Sequence, residues 1–149
     1  MTTSALVPLI VIGFGAFFVL IWTFVLWLAA WVGGWQKLAE QFAATFVYSG
    51  EVVKYVSARF GLANYSGMLI LGAGDQGLYL VPIRIYRPFH PPLLIPWTEI
   101  EARVHEGTAV PRVQLTFPSV PGKRILFYGR SAKECMPYLN KRSDFDDEL

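Results

Sequence analysis

The chain reads as one N-terminal transmembrane α-helix followed by a mainly-β domain of six to seven strands that ends in a C-terminal helix. Three observations predict this class. Residues 5–32 contain no charged side chain, and the first one in the chain is Lys37. From residue 52 onward, short runs rich in Val, Ile, Tyr and Phe alternate in polarity between Gly, Pro, Asn and Asp turns. Beyond Gly129, a Ser-x-x-Glu pattern opens a helical stretch.

The apolar run is longer than the ~20 residues needed to cross a ~30 Å hydrocarbon core. In lipid a lone span has to be a helix, because its backbone polar groups must pair within the segment. The start, MTTS, has no Lys or Arg, and the run is about twice as long as the apolar part of a cleaved leader, so a retained anchor is expected. Gly13, Gly15 and Pro8 suit a membrane helix. No strict GxxxG pair occurs in the span, so no homodimer seam is marked. Phe14, Phe17, Phe18, Trp22 and Phe24 make its middle bulky, facing lipid, pigment or another helix. Lys37, Lys54 and Arg59 follow the span and no base precedes it. The positive-inside rule then puts the N-terminus outside and the β domain in the cytoplasm, as at a bacterial inner membrane.

Trp27, Trp31 and Trp35 recur every four residues, which places them on one helical face. Tryptophan favours the headgroup level, so they are expected to form a cytoplasmic belt. Gly33-Gly34 allows a bend. Beyond it, residues 35–47 set Trp35, Leu38, Ala39, Phe42 and Phe46 on one stripe. Such an amphipathic helix either lies on the membrane, with Phe42 also at the interface, or packs on the domain. The expected division is an anchor at 1–34, this helix at 35–48, a β domain at 49–142 and an acidic tail at 143–149.

In the β domain, strands are expected at 52–60, 67–72, 77–83, 100–106, 112–117 and 124–129. Turns fall at 61–66 and 73–76, and a loop contains Gly107. Pro82 belongs at an edge or bulge because it cannot donate to a ladder. Residues 84–97, RIYRPFHPPLLIPW, hold four prolines, which exclude a helix and a central strand. Here Arg84, Arg87 and His90 alternate with Tyr86, Phe89, Leu93, Leu94 and Trp97. As a contact surface, Arg84 and Arg87 would hold phosphate or carboxylate. Phe89, His90, Leu93, Leu94 and Trp97 would enter a partner or the bilayer interface. Otherwise the segment folds back and covers a sheet edge. Ser131 as N-cap and Glu134 at N3 would start a helix reaching about Arg142, with Cys135, Met136 and Leu139 inward. The tail SDFDDEL is expected to fray.

Net charge is +2, but Asp144, Asp146, Asp147 and Glu148 crowd the end, leaving 13 bases against 7 acids in the body. A mildly basic body suits an anionic membrane surface or is an ordinary solvated exterior. One cysteine, Cys135, rules out a disulfide within the chain.

No chemistry-bearing constellation stands out. Gly72, Gly74 and Gly77 match a dinucleotide fingerprint, but that motif needs a helix directly after the glycines, and a β pattern with prolines follows. His90 and His105, with Glu99, Glu101, Glu106 or Cys135, show no metal-ligand spacing. Cys135 would need an activating partner to act as a nucleophile, and beside Met136 it reads as core. The bases are too dispersed for a nucleic-acid surface. No catalysis, cofactor or metal is expected.

GLYLVPIRIYRP at 77–88 and LLIPWTEIEARV at 93–104, together with strands that close on a capped helix, resemble the pleckstrin-homology-like superfold in its bacterial, GRAM-type branch. The resemblance spans about residues 50–142. It implies a barrel whose open corner is plugged by the last helix, and a role in binding lipid headgroups or peptides or in scaffolding. The basic pattern of the phosphoinositide-binding members is missing, since the 61–66 turn carries no base. The expected function is a non-catalytic accessory subunit of a multi-subunit membrane complex, of photosynthetic or respiratory type, with its β domain docked on the partner. The alternative is a free anchored module that recognises anionic lipid or a peptide.

Overall fold

An uninterrupted apolar stretch makes one helix, and the alternating stretches make one sheet. The computed structural model describes residues 2–105 and 109–146. Helix α1 runs Thr3–Val32 and is long and apolar enough to cross a membrane. Only Leu26 and Ala30, near its end, are buried. Helix α2 is Trp35–Phe42. The strands are β1 (Val53–Phe60), β2 (Ala63–Gly74), β3 (Gly77–Pro82), β4 (Leu93–Ile95), β5 (Glu101–His105), β6 (Arg112–Thr116) and β7 (Arg124–Tyr128), and helix α3 is Arg130–Asp146. They form one antiparallel sheet in the order β4-β3-β2-β1-β7-β6-β5, curled into a half-barrel. This is the expected architecture.

The core follows from strand alternation. Val56, Ala58 and Phe60 of β1 point inward with Val113 and Leu115 of β6 and Ile125 and Phe127 of β7. Val113 pairs with Phe127 and Leu115 with Ile125, so the inward set is aligned across the sheet. Helix α2 adds Trp35, Leu38 and Phe42 to the same cluster, and α3 adds Ala132 and Cys135.

The knee between α1 and α2 depends on two glycines. Gly34 has φ 78°, in the left-handed region that favours glycine. A Cβ on Gly33 would lie 2.9 Å from the Ala63 Cβ and 3.2 Å from the Phe60 carbonyl oxygen. The helix end therefore sits directly on the β1–β2 turn. Trp35, just past the knee, is fully buried. Its ring meets Phe60, Tyr65 and His90 at centroid distances of 4.8, 5.7 and 5.2 Å, and its Nε1–H donates to the Pro91 carbonyl at 2.9 Å.

Several local expectations are corrected. The amphipathic stripe stops at Phe42, because Ala43 bridges to Leu93 and the Ala44 N–H donates to the Pro92 carbonyl. Phe46 is consequently exposed. Strand β2 begins at Ala63, inside the expected turn. The glycines at 72, 74 and 77 lie in the β2–β3 hairpin, where Gly72 leaves room for the Tyr48 ring, which stacks on Tyr79 at 4.7 Å. Helix α3 starts at Arg130, and the Ser131 hydroxyl lies 2.7 Å from the Ser57 carbonyl and 3.0 Å from that of Tyr128. Ser131 thus ties α3 to β1 and does not form the expected capping box. The helix continues to Asp146, past the expected end near Arg142. Glu106, the loop at Gly107 and the tail end at 147–149 lie outside the described residues.

Truncating Trp35 should be the costliest single change in the domain. Trp35→Ala is expected to lower stability by about 3–5 kcal/mol, as for other buried tryptophans. Trp35→Phe should cost less, chiefly the hydrogen bond to Pro91, about 1 kcal/mol. Denaturant unfolding in detergent, followed by near-ultraviolet circular dichroism, measures both. A Trp35→Ala protein as stable as the parent would contradict this packing.

Candidate interaction surface

The proline-rich segment divides into an inner and an outer half. Strand β4 pairs with β3 at the end of the sheet, Leu93 opposite Leu80 and Ile95 opposite Leu78. The segment folds back over a sheet edge, one of the two outcomes left open by its sequence. Prolines 92 and 96 flank this short edge strand, as proline's missing donor requires. Leu93 and His90 are buried, and Leu94 and Trp97 are partly so. The Trp97 Nε1–H donates to the Gly74 carbonyl at 2.6 Å, and its ring stacks on Tyr138 at 5.5 Å and 7°. His90 and Leu93 are thus taken up by the core, and the Trp97 ring is engaged within the domain. Arg84, Ile85, Arg87 and Phe89 remain exposed on a turn that opens with a 3-10 helix at Arg84–Tyr86.

His90 secures that turn. Its Nδ1 lies 2.8 Å from the Pro88 carbonyl, which can only accept, so Nδ1 carries the proton. Nε2 is then an acceptor, and the Tyr65 hydroxyl donates to it across 2.7 Å. Burial lowers the His90 pKa, opposed in part by the Pro88 contact, and burial raises that of Tyr65.

The expected membrane belt is split by the knee. Trp27 and Trp31 are exposed on α1, with ring centroids 6.4 Å apart and planes 6° apart. Trp35 and Phe42 are buried in the domain, Phe42 against Phe117 at 6.1 Å. The i, i+4 spacing suggested one continuous face, but the left-handed Gly34 ends that face and turns Trp35 into the core.

The sheet also assembles a basic face that sequence reading missed. Arg59 of β1, Arg103 of β5, Arg112 of β6 and Arg124 of β7 all alternate with inward residues and so point outward. Register places them together: Arg59 is opposite Leu126, Leu126 opposite Gln114, and Gln114 opposite Arg103. Arg112 and Arg124 lie in the rows on either side, opposite Tyr128 and Thr116. Among the described residues none of the four arginines is ion-paired, and Glu101 is the carboxylate that shares the face. Arg59 and Arg112 line a shallow concavity of about 610 Å³ with Leu62, Asn64, Leu126 and Tyr128. Successive bases stand 9 to 44 positions apart in the chain, so only the strand register could have revealed the cluster.

Cys135 is buried, and burial with the nearby Glu134 charge pushes its thiol up to about 12, which keeps it protonated at neutral pH. Among the described residues no three of His, Cys, Asp and Glu come together as metal ligands.

No protein-family model, curated protein or solved structure matches the chain. What fold and surface together define is a β half-barrel fused to a long apolar helix, with four arginines on the outer face of its sheet.

The His90–Tyr65 pair yields two expectations. Tyr65→Phe leaves a buried acceptor without its donor and should cost about 1–3 kcal/mol in unfolding experiments. For pH, the unfolded histidine binds a proton near 6.5, whereas the native one does so only at lower pH. Below that ordinary value the unfolded state holds more protons, so stability falls as pH drops and is level above it. Unfolding midpoints between about pH 7.5 and 5.5 should therefore decline in the parent and flatten in His90→Gln. Equal slopes in the two proteins would contradict the neutral, buried assignment.

Proposed function

We propose that this chain is a non-catalytic, single-pass membrane protein that serves as an accessory subunit of a larger membrane assembly. Helix α1 anchors it, and the β half-barrel docks on the assembly through the arginine face. The carrying observation is that four arginines, none ion-paired among the described residues, share one face, and that the domain bearing it is joined to α1 by Gly33, Gly34 and the buried Trp35. Strongly basic, preorganised surfaces select acidic partners and speed encounter with them. The occupant of this face is an acidic surface of a membrane-embedded protein. Lys37, Lys54 and Arg59 behind the span favour a cytoplasmic domain, as at a bacterial inner membrane. The resemblance to pleckstrin-homology-like domains agrees with a binding or scaffolding role. Fold alone does not select among the ligands such domains take.

The test is purification of the full chain from its native membrane in mild detergent, followed by mass spectrometry. Stoichiometric recovery of integral membrane proteins supports the proposal. Arg59→Glu with Arg124→Glu should lose those partners while remaining in the membrane fraction, and raised salt should weaken the parent complex. A chain that purifies alone under all these conditions contradicts the subunit role and favours a free anchored module.

A further inference from the structure

We propose that the turn at residues 84–89 is a second membrane contact, which seats the half-barrel on the bilayer surface. Ile85 and Phe89 enter the interface, and Arg84 and Arg87 hold lipid phosphates. This inference rests on the reading of α1 as a membrane span. It does not require a protein partner.

The first argument is length. Helix α1 is uncovered as far as Ile21 and is first partly covered by the domain at Trp22 and Thr23; at 1.5 Å per residue the uncovered stretch supplies the roughly 20 residues that cross a ~30 Å hydrocarbon core. The remaining residues of α1, 23–32, extend about 15 Å further. That is the part of the helix that packs on the domain, through Leu26 and Ala30. Trp22 therefore stands where the helix leaves hydrocarbon, and the Tyr86 ring lies on it at 5.2 Å. The 84–89 turn is thereby held at the level of the bilayer boundary.

The turn has the chemistry of that boundary. Ile85 is 62% exposed and Phe89 41% exposed, although apolar side chains of this size are readily buried elsewhere in the domain. Arg84 and Arg87 alternate with them, and no carboxylate occurs between Asp75 and Glu99. Apolar residues interleaved with bases are what an anionic lipid surface takes up.

The turn is also preformed. Phe89 has φ 63°, a conformation a bulky residue seldom adopts. It is held there by the His90 N–H donating to the Arg87 carbonyl at 2.8 Å and by the buried His90 ring on Tyr65. The Arg87 Nε–H donates to the Pro82 carbonyl at 3.2 Å, which fixes the arginine stem. A strained residue that displays an exposed aromatic ring on a rigid support points to a contact outside the fold.

The experiment uses the full chain in a Cys135→Ala background, reconstituted in vesicles of phosphatidylcholine and phosphatidylglycerol. An environment-sensitive fluorophore is attached at Ile85→Cys, at Leu62→Cys or at Phe14→Cys, and lipid-borne spin labels at shallow and deep positions quench it. Leu62 is 79% exposed at the knee, on the far side of the last turns of α1 from Trp22. Shallow-label quenching at position 85 should exceed that at 62 by about twofold or more, as for side chains at the headgroup boundary. Arg84→Ala with Arg87→Ala should reduce quenching at 85 and leave that at 14 unchanged. Strong deep-label quenching at 14 with none at 85 overturns the second contact while leaving the span intact. No quenching at 14 overturns the membrane span and the seated turn together.

Discussion

The indole of Trp35 is placed where three parts of the molecule have to meet. It follows the Gly33-Gly34 knee by one residue, so its position is tied to the end of α1. Its ring faces Phe60 and Tyr65, at the end of β1 and the start of β2, next to the turn on which Gly33 rests. Its N–H is spent on Pro91, in the segment that leads into β4. A tryptophan buries a large apolar area yet needs a partner for its one donor. Both needs are met here only if helix, sheet and proline-rich segment adopt one arrangement. The end of α1 and the domain are therefore packed as one unit. A flexible linker at this point would let the domain sample many orientations.

The proline-rich segment shows how a buried polar pair can organise a surface. His90 is drawn inward between Trp35 and Tyr65, and its two ring nitrogens are satisfied by Pro88 and by the Tyr65 hydroxyl. A buried polar network that is fully satisfied confers rigidity, whereas a partly satisfied one is costly. Because the ring is fixed, the residues before it are pushed outward as a stiff turn and those after it run along the edge of β3. One stretch of sequence thus supplies both an edge cover and an exposed display.

Charge is distributed in the same two-sided way. The four arginines of the outer face lie on β1, β5, β6 and β7, while Arg84 and Arg87 lie on the turn that touches Trp22. The two basic regions thus stand on different elements of the chain.

Much of this was legible from residue order alone. A charge-free run of this length determines a helix that lipid or protein must cover, because no other backbone form pairs its own polar groups. Alternation determined the strands, since side chains on successive residues face opposite sides whatever the fold. The edge placement of 93–95 was bounded by prolines that cannot donate. Other features were decided only by the tertiary structure. Trp35 carries the same spacing as Trp27 and Trp31, and nothing local says that Gly34 will turn it inward. Ala43 leaves the helix because Leu93, fifty residues on, offers a bridge. The arginine face exists only once β1, β7, β6 and β5 are set in register. Periodicity reports which side of its own element a residue takes, while neighbours across elements are chosen by long-range pairing, which no local pattern encodes.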